Sequence, residues 1–259
     1  MIKIKGEGMI SNGFVSISGK GKSYQVLNME IRKLVNEEGK KDLELKEVFG
    51  QRYIGAGLEG DVNIKINGVP GNNLAAMCDG PKFEVYDNAQ DMIGNTMNNG
   101  EVVIYGHVSD TPGIAMRGGR IFIKEKAGYR VGIHMKAYMD KIPVIVIGED
   151  VGDFLGEYMA GGVIIVLGMG LESDKSPVGD YVGTGMHGGT IYIRGKVEES
   201  QLGKEVSKLE LNDEDKSILR KHIGSFCEYF EKNLEEILSN EFVKLEPVSA
   251  RPYGRLYVS

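Results

Sequence analysis

Short strands recur along this chain with a period of two. Asp61-Val62-Asn63-Ile64-Lys65-Ile66 alternates polar and apolar residues and stops at Asn67-Gly68, the pattern of a half-buried strand entering a turn. Val102-Val103-Ile104-Tyr105 follows Asn99-Gly100, Ile121-Phe122-Ile123 follows Gly118-Gly119, and Thr190 to Arg194 makes a further strand. The early strands keep a polar face, with Asn63 and Lys65 or Lys82 and Glu84, whereas Val144 to Ile147 and Val163 to Leu167 are apolar at every position. Strands of the second kind are buried on both faces. Something must therefore cover their outer side, either the C-terminal part of this chain or another subunit.

The strands are spaced by a repeat. The pattern G-x-x-M occurs at Gly94-Met97, Gly113-Met116, Gly132-Met135, Gly156-Met159 and Gly183-Met186, in steps of 19, 19, 24 and 27 residues. Extending it backwards reaches Ala75-Cys78 and then Gly55-Leu58. A period near twenty with glycine at fixed offsets marks a solenoid whose units cannot bury their own apolar face. The leucine-rich frame is missing, so a β-helix fits, with glycine at the corners and Met97, Met116, Met135, Met159 and Met186 stacked as core filler. Gly118 and Gly161 are expected at positive φ, and replacing either of them, or Gly57, by valine should destabilise the fold. Steps of 24 and 27 locate insertions in or next to Lys136–Lys141 and within Gly168–Val182, which must leave the stack as loops and are candidates for specific contacts.

Two G-x-G-x-x-G stretches, Gly55 to Gly60 and Gly183 to Gly188, have the spacing of a dinucleotide-binding turn. That chemistry requires a helix after the glycines. Each stretch runs into a strand, so both are rungs of the repeat. No G-x-S-x-G elbow or phosphate-binding G-x-x-x-x-G-K-[ST] loop is present.

Helices are expected outside the repeat. Asn28 is placed to cap Met29 to Val35, ended by Gly39, and Asn212 to cap a helix that closes with Arg220 and Lys221 before Gly224. A second C-terminal helix, Ser225 to Leu238, carries an apolar stripe. The segment Ser249 to Ser259 is expected to dock on the solenoid or a partner. The division is thus 1–41 for an N-terminal extension and capping helix, 42–196 for the repeat domain, and 197–259 for a C-terminal helical segment and tail.

Candidate chemistry is sparse. A net charge of -6 without a basic segment argues against nucleic acid, and no apolar run is long enough to span a bilayer, which makes cytoplasm the expected compartment. Cys78 and Cys227 form no CxxC, and His107, His134, His187 and His222 form no HxH or HxxxH pair, so neither a cluster nor a metal site is expected. Asp110, Asp153, Glu157 and Asp180 lie in or beside turns, where carboxylates serve solvation and capping. Acidic residues are not expected to recur along one face. Arg117, Arg120 and Arg194 border strands and are read as solvated or salt-bridged.

"DLELKEVFGQRYIGAGLEGDVNIKING", "DMIGNTMNNGEVVIYGH", "TPGIAMRGGRIFIK", "FLGEYMAGGVIIVLG" and "YVGTGMHGGTIYIRG" together resemble the glycine-repeat (GXGXG) C-terminal domain of glutamate synthase large chains. The likeness runs from about Asn28 to Gly195, and the terminal "ARPYG" looks like that of free-standing archaeal-type versions. It implies an all-β fold, a single-stranded right-handed parallel β-helix of about seven coils of roughly 20 residues, with short helical capping segments at both ends.

For function, the resemblance implies a non-catalytic structural subunit of a multi-subunit glutamate synthase. Its partners would be a glutamine amidotransferase subunit and an FMN/iron–sulfur glutamate synthase subunit, held in register so that ammonia passes between them. A fixed path keeps the ammonia concentrated. The sequence starts Met1-Ile2, so the family's N-terminal amidotransferase cysteine is not expected here, and no catalytic, cofactor-binding or metal-binding residue of the family maps onto a position of this chain. A homo-oligomer remains open. One of the polypeptides of formylmethanofuran dehydrogenase has a similar repeat, which gives a scaffold in that complex as the alternative. A hydrolase built on acidic turns is a third reading.

Overall fold

The structure is a computed structural model and describes residues 10, 11, 13–172 and 175–249. Among these residues 12 strands form one continuous sheet, ordered β1-β2-β3-β4-β5-β6-β7-β8-β9-β10-β12-β11. They are β1 (Ile10–Ser11), β2 (Phe14–Ser18), β3 (Asp42–Phe49), β4 (Asn63–Val69), β5 (Asp79–Val85), β6 (Asn99–Ile104), β7 (Arg120–Ile123), β8 (Val144–Ile147), β9 (Ala160–Val166), β10 (Gly188–Arg194), β11 (Val206–Leu209) and β12 (Phe242–Pro247). From β2 to β10 every neighbour is parallel. The chain is a parallel β-solenoid of about six turns. The expected seven coils become six because seven equivalent corners enclose only six full turns.

Register explains the core. Leu43, Ile64, Phe83, Val102, Ile121, Ile145, Ile164 and Ile191 are successive partners across the ladder. All are buried in one cluster with Met97, Met116, Met135, Met159 and Met186. The methionine column expected from spacing is therefore real, and each methionine N–H closes a turn onto the carbonyl of the glycine three residues before it. At every step the apolar side chain packs on its counterpart one coil away, the nearest-neighbour logic of a solenoid.

Each corner is made of two overlapping four-residue turns, and three alternate residues turn through positive φ. In the fifth corner these are Arg130 (φ 56), Gly132 (φ 69) and His134 (φ 55). The middle position points inward. A Cβ on Gly132 would stand 2.6 Å from Ile164 Cδ1, and one on Gly156 the same distance from Ile191 Cδ1. The third position accepts a side chain in most corners, and Met77, Thr96, Ala115, His134 and Tyr158 occupy the place that Gly57 holds in the first corner. Gly57 has nothing within 4 Å of its missing Cβ, so its replacement costs backbone strain alone.

The expectation for Gly118 needs correction, because Gly119 (φ 78) carries the positive φ. Gly118 is required for a different reason: a Cβ there would overlap the Asn98 carbonyl oxygen of the coil below. Gly161 has the expected positive φ, at 157, and its missing Cβ would in addition lie 2.7 Å from the Ala137 backbone nitrogen. In both cases close stacking excludes the side chain.

Helix α1 (Tyr24–Arg32) begins earlier than expected, with Ser23 as its cap, and runs into a π-helical turn over Lys33–Glu37. Asn28 is instead buried within the helix. Its amide donates to the Arg52 carbonyl and its Oδ1 accepts from the Gly55 N–H at 3.2 Å, so it caps the first corner of the solenoid.

The C-terminal segment covers the apolar outer face. Helix α2 (Asp213–Phe230) is continuous through Gly224, contrary to the expected break, and is followed by α3 (Leu234–Leu238). Leu219, Ile223, Phe226, Cys227 and Phe230 bury against Val103, Phe122, Val146, Ile165 and Tyr192. Packing of that stripe outweighs the ~1 kcal/mol helix cost of one glycine. The helix is pinned at its start by a buried group. Asp215 Oδ1 accepts from Tyr192 Oη at 2.6 Å, and its Oδ2 lies 3.0 Å from Lys244 Nζ. The terminal "ARPYG" lies outside the described residues.

Candidate functional site

Where the helix meets the sheet, a groove of about 750 Å³ remains open. Its floor is one row of paired strand residues, Lys82, Glu101 and Arg120, on β5, β6 and β7. One wall is the flank of α2, with Glu214, Ile218, Lys221 and His222 at helical spacing. The other is the insertion at Asp140, Lys141 and Ile142. This is the first of the two insertions located by the repeat. It closes on itself through paired backbone bonds between Tyr138 and Lys141 and leans back across the coils, so that Lys141 Nζ reaches Asp79 at 3.2 Å.

The floor is a linked polar network. Arg120 Nη2 lies 2.6 Å from Glu101 Oε2, while Arg120 Nη1 donates to Ser225 Oγ of α2 at 3.4 Å. Tyr229, also from α2, donates its hydroxyl to Glu101 Oε1. Lys82 Nζ sits 4.7 Å from the centre of the Tyr229 ring and 3.1 Å from Glu84. Burial works against the charge on Lys82, but Tyr229 and Glu84 outweigh it and hold the ammonium above its ordinary pKa. The Tyr229 hydroxyl is raised by burial and by Glu101.

His222 is the unexpected member. Set aside in the sequence because it belongs to no metal-ligand pair, it is only 8% exposed, and its Nδ1 has no hydrogen-bond partner. Burial, with Lys221 and Arg120 beside it, lowers its pKa to about 4, so the ring is neutral at pH 7. Its spacing from Ile218 along α2 was the only sequence signal that could have found it.

The other sequence candidates lie apart from this groove. His134 stacks on Tyr158 with ring centres 5.3 Å apart, His187 Nδ1 is 3.3 Å from the Gly185 carbonyl, and His107 faces Glu125. Arg194 binds the Leu167 and Gly168 carbonyls, and Arg117 is exposed. Cys78 is fully buried, its thiol donates to the Gly55 carbonyl, and burial raises its pKa to about 12. Among the described residues no group of three or more His, Cys, Asp or Glu side chains is placed to hold a metal ion, and no helix is long and apolar enough to cross a membrane.

One expectation fails. Acidic residues do recur along a face, because Asp91, Asp110, Asp153 and Asp180 occupy the same place in four corners. Three of them accept the backbone N–H of the next coil: Asp91 Oδ1 from Asp110, Asp110 Oδ1 from Tyr129, and Asp153 Oδ1 from Asp180, at 2.9 to 3.2 Å. Their role is to satisfy corner donors that the strand ladder leaves free. Glu157 is paired with Arg130 at 2.9 Å.

The comparisons with known proteins agree with this architecture. The model of the GXGXG motif matches residues 27–248. An uncharacterized protein of Methanocaldococcus jannaschii is 44% identical over 252 residues, covering 94% of this chain and 96% of that protein. Ferredoxin-dependent glutamate synthase 2 of Synechocystis is 28% identical over 159 residues, which is 56% of this chain but 10% of the enzyme. The chain thus spans about a tenth of the glutamate synthases it resembles. Among solved structures, a chain of the formyltransferase/hydrolase complex from Methylorubrum extorquens has a TM-score of 0.62 at 19% identity, covering 86% of this chain and 91% of that one, a likeness of fold. With the repeat, its corners and a family match across most of the sequence all in agreement, the chain belongs to the GXGXG motif family.

Proposed function

We propose that this protein is a non-catalytic structural subunit of a multi-subunit glutamate synthase, holding a glutamine amidotransferase subunit and an FMN/iron–sulfur subunit in register for ammonia transfer. The observation that carries this reading is the similarity to a segment that makes up only 10% of a ferredoxin-dependent glutamate synthase. In this reading the reacting groups belong to the remaining parts of such an enzyme, on partner chains. The solenoid supplies what a spacer needs, a stack of rungs with a fixed rise and nearest-neighbour packing along its length. Holding two sites at a fixed separation keeps a transferred intermediate at high effective concentration.

The fold shared with a chain of the formyltransferase/hydrolase complex favours a second reading, a scaffold in a formylmethanofuran dehydrogenase-type assembly. Affinity purification of the tagged full chain from its native cells, with mass spectrometry and cofactor analysis, separates the two. Co-elution of an amidotransferase and a flavin and iron–sulfur protein is expected. A molybdenum or tungsten protein in their place overturns the glutamate synthase reading, and a chain that elutes alone overturns both.

A further inference from the structure

The groove between α2 and the insertion loop is lined largely by polar and charged residues that ask for an occupant. His222 is only 8% exposed, and its Nδ1 makes no hydrogen bond, whereas both oxygens of the equally buried Glu101 are taken by Arg120 and Tyr229. An unsatisfied buried polar atom calls for an explanation, commonly a missing water or ion. Arg120 is close enough to His222 to act on its charge and is paired with Glu101. Its guanidinium plane is fixed by Glu101 on one side and Ser225 on the other, which leaves Nε and further Nη protons for a ligand. The exposed Lys221 adds a second cation on the same side of the groove.

Around the rim, Asp61, Asp140 and Glu214 are exposed carboxylates without ion-pair partners among the described residues. Lys82, Arg120, Lys141 and Lys221 are thus balanced by Asp61, Glu101, Asp140 and Glu214. A polyanion would meet as much repulsion as attraction. A small anion reaching Arg120 would meet the cations, while hydroxyl or amine groups on its other end would meet the rim carboxylates. The volume is within the range of small-molecule sites.

We propose that this groove binds a small oxyanion, a carboxylate or phosphate monoester, held at Arg120, Lys221 and His222, whose remaining part donates hydrogen bonds to Asp61, Asp140 or Glu214. The basicity of His222 is depressed first by burial and then by Lys221 and Arg120, and an anion between these two cations would offset the second effect. The site does not depend on the scaffold reading, because it is formed by this chain alone.

The test is a titration of the isotope-labelled full chain, following the His222 ring and Arg120 side-chain resonances, with three probes: inorganic phosphate, succinate and its dihydroxy analogue tartrate. Saturable shifts are expected with phosphate, and tartrate should bind more tightly than succinate because only tartrate offers donors to the rim. Arg120→Gln should weaken binding by about tenfold or more, the usual effect of removing a charged hydrogen bond. Lys221→Gln, on an exposed helix flank, should weaken it less while leaving the melting temperature unchanged, which keeps the test valid if Arg120→Gln impairs folding. Shifts that stay linear with every probe, or that are the same in wild type and Lys221→Gln, would overturn the site. Succinate binding as tightly as tartrate would overturn the role given to the rim.

Discussion

Gly132 offers the sharpest test of how the solenoid is built. Replacing it with alanine places a methyl group 2.6 Å from Ile164 Cδ1, whereas carbon atoms settle about 3.5–4.0 Å apart. One of the two must retreat by roughly 1 Å in a core where Ile164 is fully buried, and overpacking of this kind costs ~1–3 kcal/mol. The left-handed conformation at φ 69 costs an L-residue a further ~1–2 kcal/mol. Alanine returns ~0.4–1 kcal/mol by restricting the unfolded chain, so the expected net loss is about 2–4 kcal/mol. The second corner shows how the protein itself solves the problem. Ala75 holds the equivalent position at φ 57, and the residue one coil above it in the ladder is Val102, which has no δ-carbon. The double variant Gly132→Ala, Ile164→Val should therefore be more stable than the sum of its parts predicts. Ile164→Val alone should cost ~0.5–1.5 kcal/mol, and the coupling should be about 1 kcal/mol or more in the favourable direction. Denaturant unfolding monitored by far-UV circular dichroism measures all three. Strict additivity, or a Gly132→Ala protein as stable as wild type, would refute the inward-facing corner.

Two further outcomes follow from buried charge. Lys244→Met should destabilise by ~3–5 kcal/mol because it strips Asp215 of its principal cation while leaving the carboxylate buried, and adding Asp215→Asn should recover part of the loss; a neutral Lys244→Met would show that the pair does not anchor α2. Stability should also fall with acid. The folded pKa of His222 is about 4 against an ordinary 6.5, through burial and then Lys221 and Arg120, so the unfolded chain binds the extra proton and stability is lost as pH falls from about 6.5 towards 4. The charged groups bordering His222 also include Glu214 on α2, Glu101 on β6, and Asp140 and Lys141 on the loop. Urea midpoints across that interval should slope less in His222→Gln than in wild type, and equal slopes would refute the assignment. Asp215, whose carboxyl is held low by Tyr192, the Asn212 backbone and Lys244 against the opposing effect of burial, contributes a separate loss at lower pH.

What the sequence alone determined is whatever one coil determines. A period near twenty, glycine at the corners and methionine three residues later are local features, because each coil meets only its neighbours and every neighbour obeys the same rule. The solenoid, the methionine column and the insertion near Lys141 were legible for that reason, as was the need for a cover over Val144 to Ile147. Tertiary structure decided what depends on distant partners. Gly224 continues a helix because the stripe from Leu219 to Phe230 has a sheet face to bury against, and Asn28 leaves the helix-cap role to Ser23 because its side chain is spent on the first corner. The groove joins β5 to β7, a loop near residue 140 and a helix flank near residue 220. The acidic column was missed for a simpler reason: insertions of unequal length hide the equivalence of Asp110, Asp153 and Asp180 until the coils are stacked, and stacking is what turns the carboxylates of Asp91, Asp110 and Asp153 into acceptors for the backbone above.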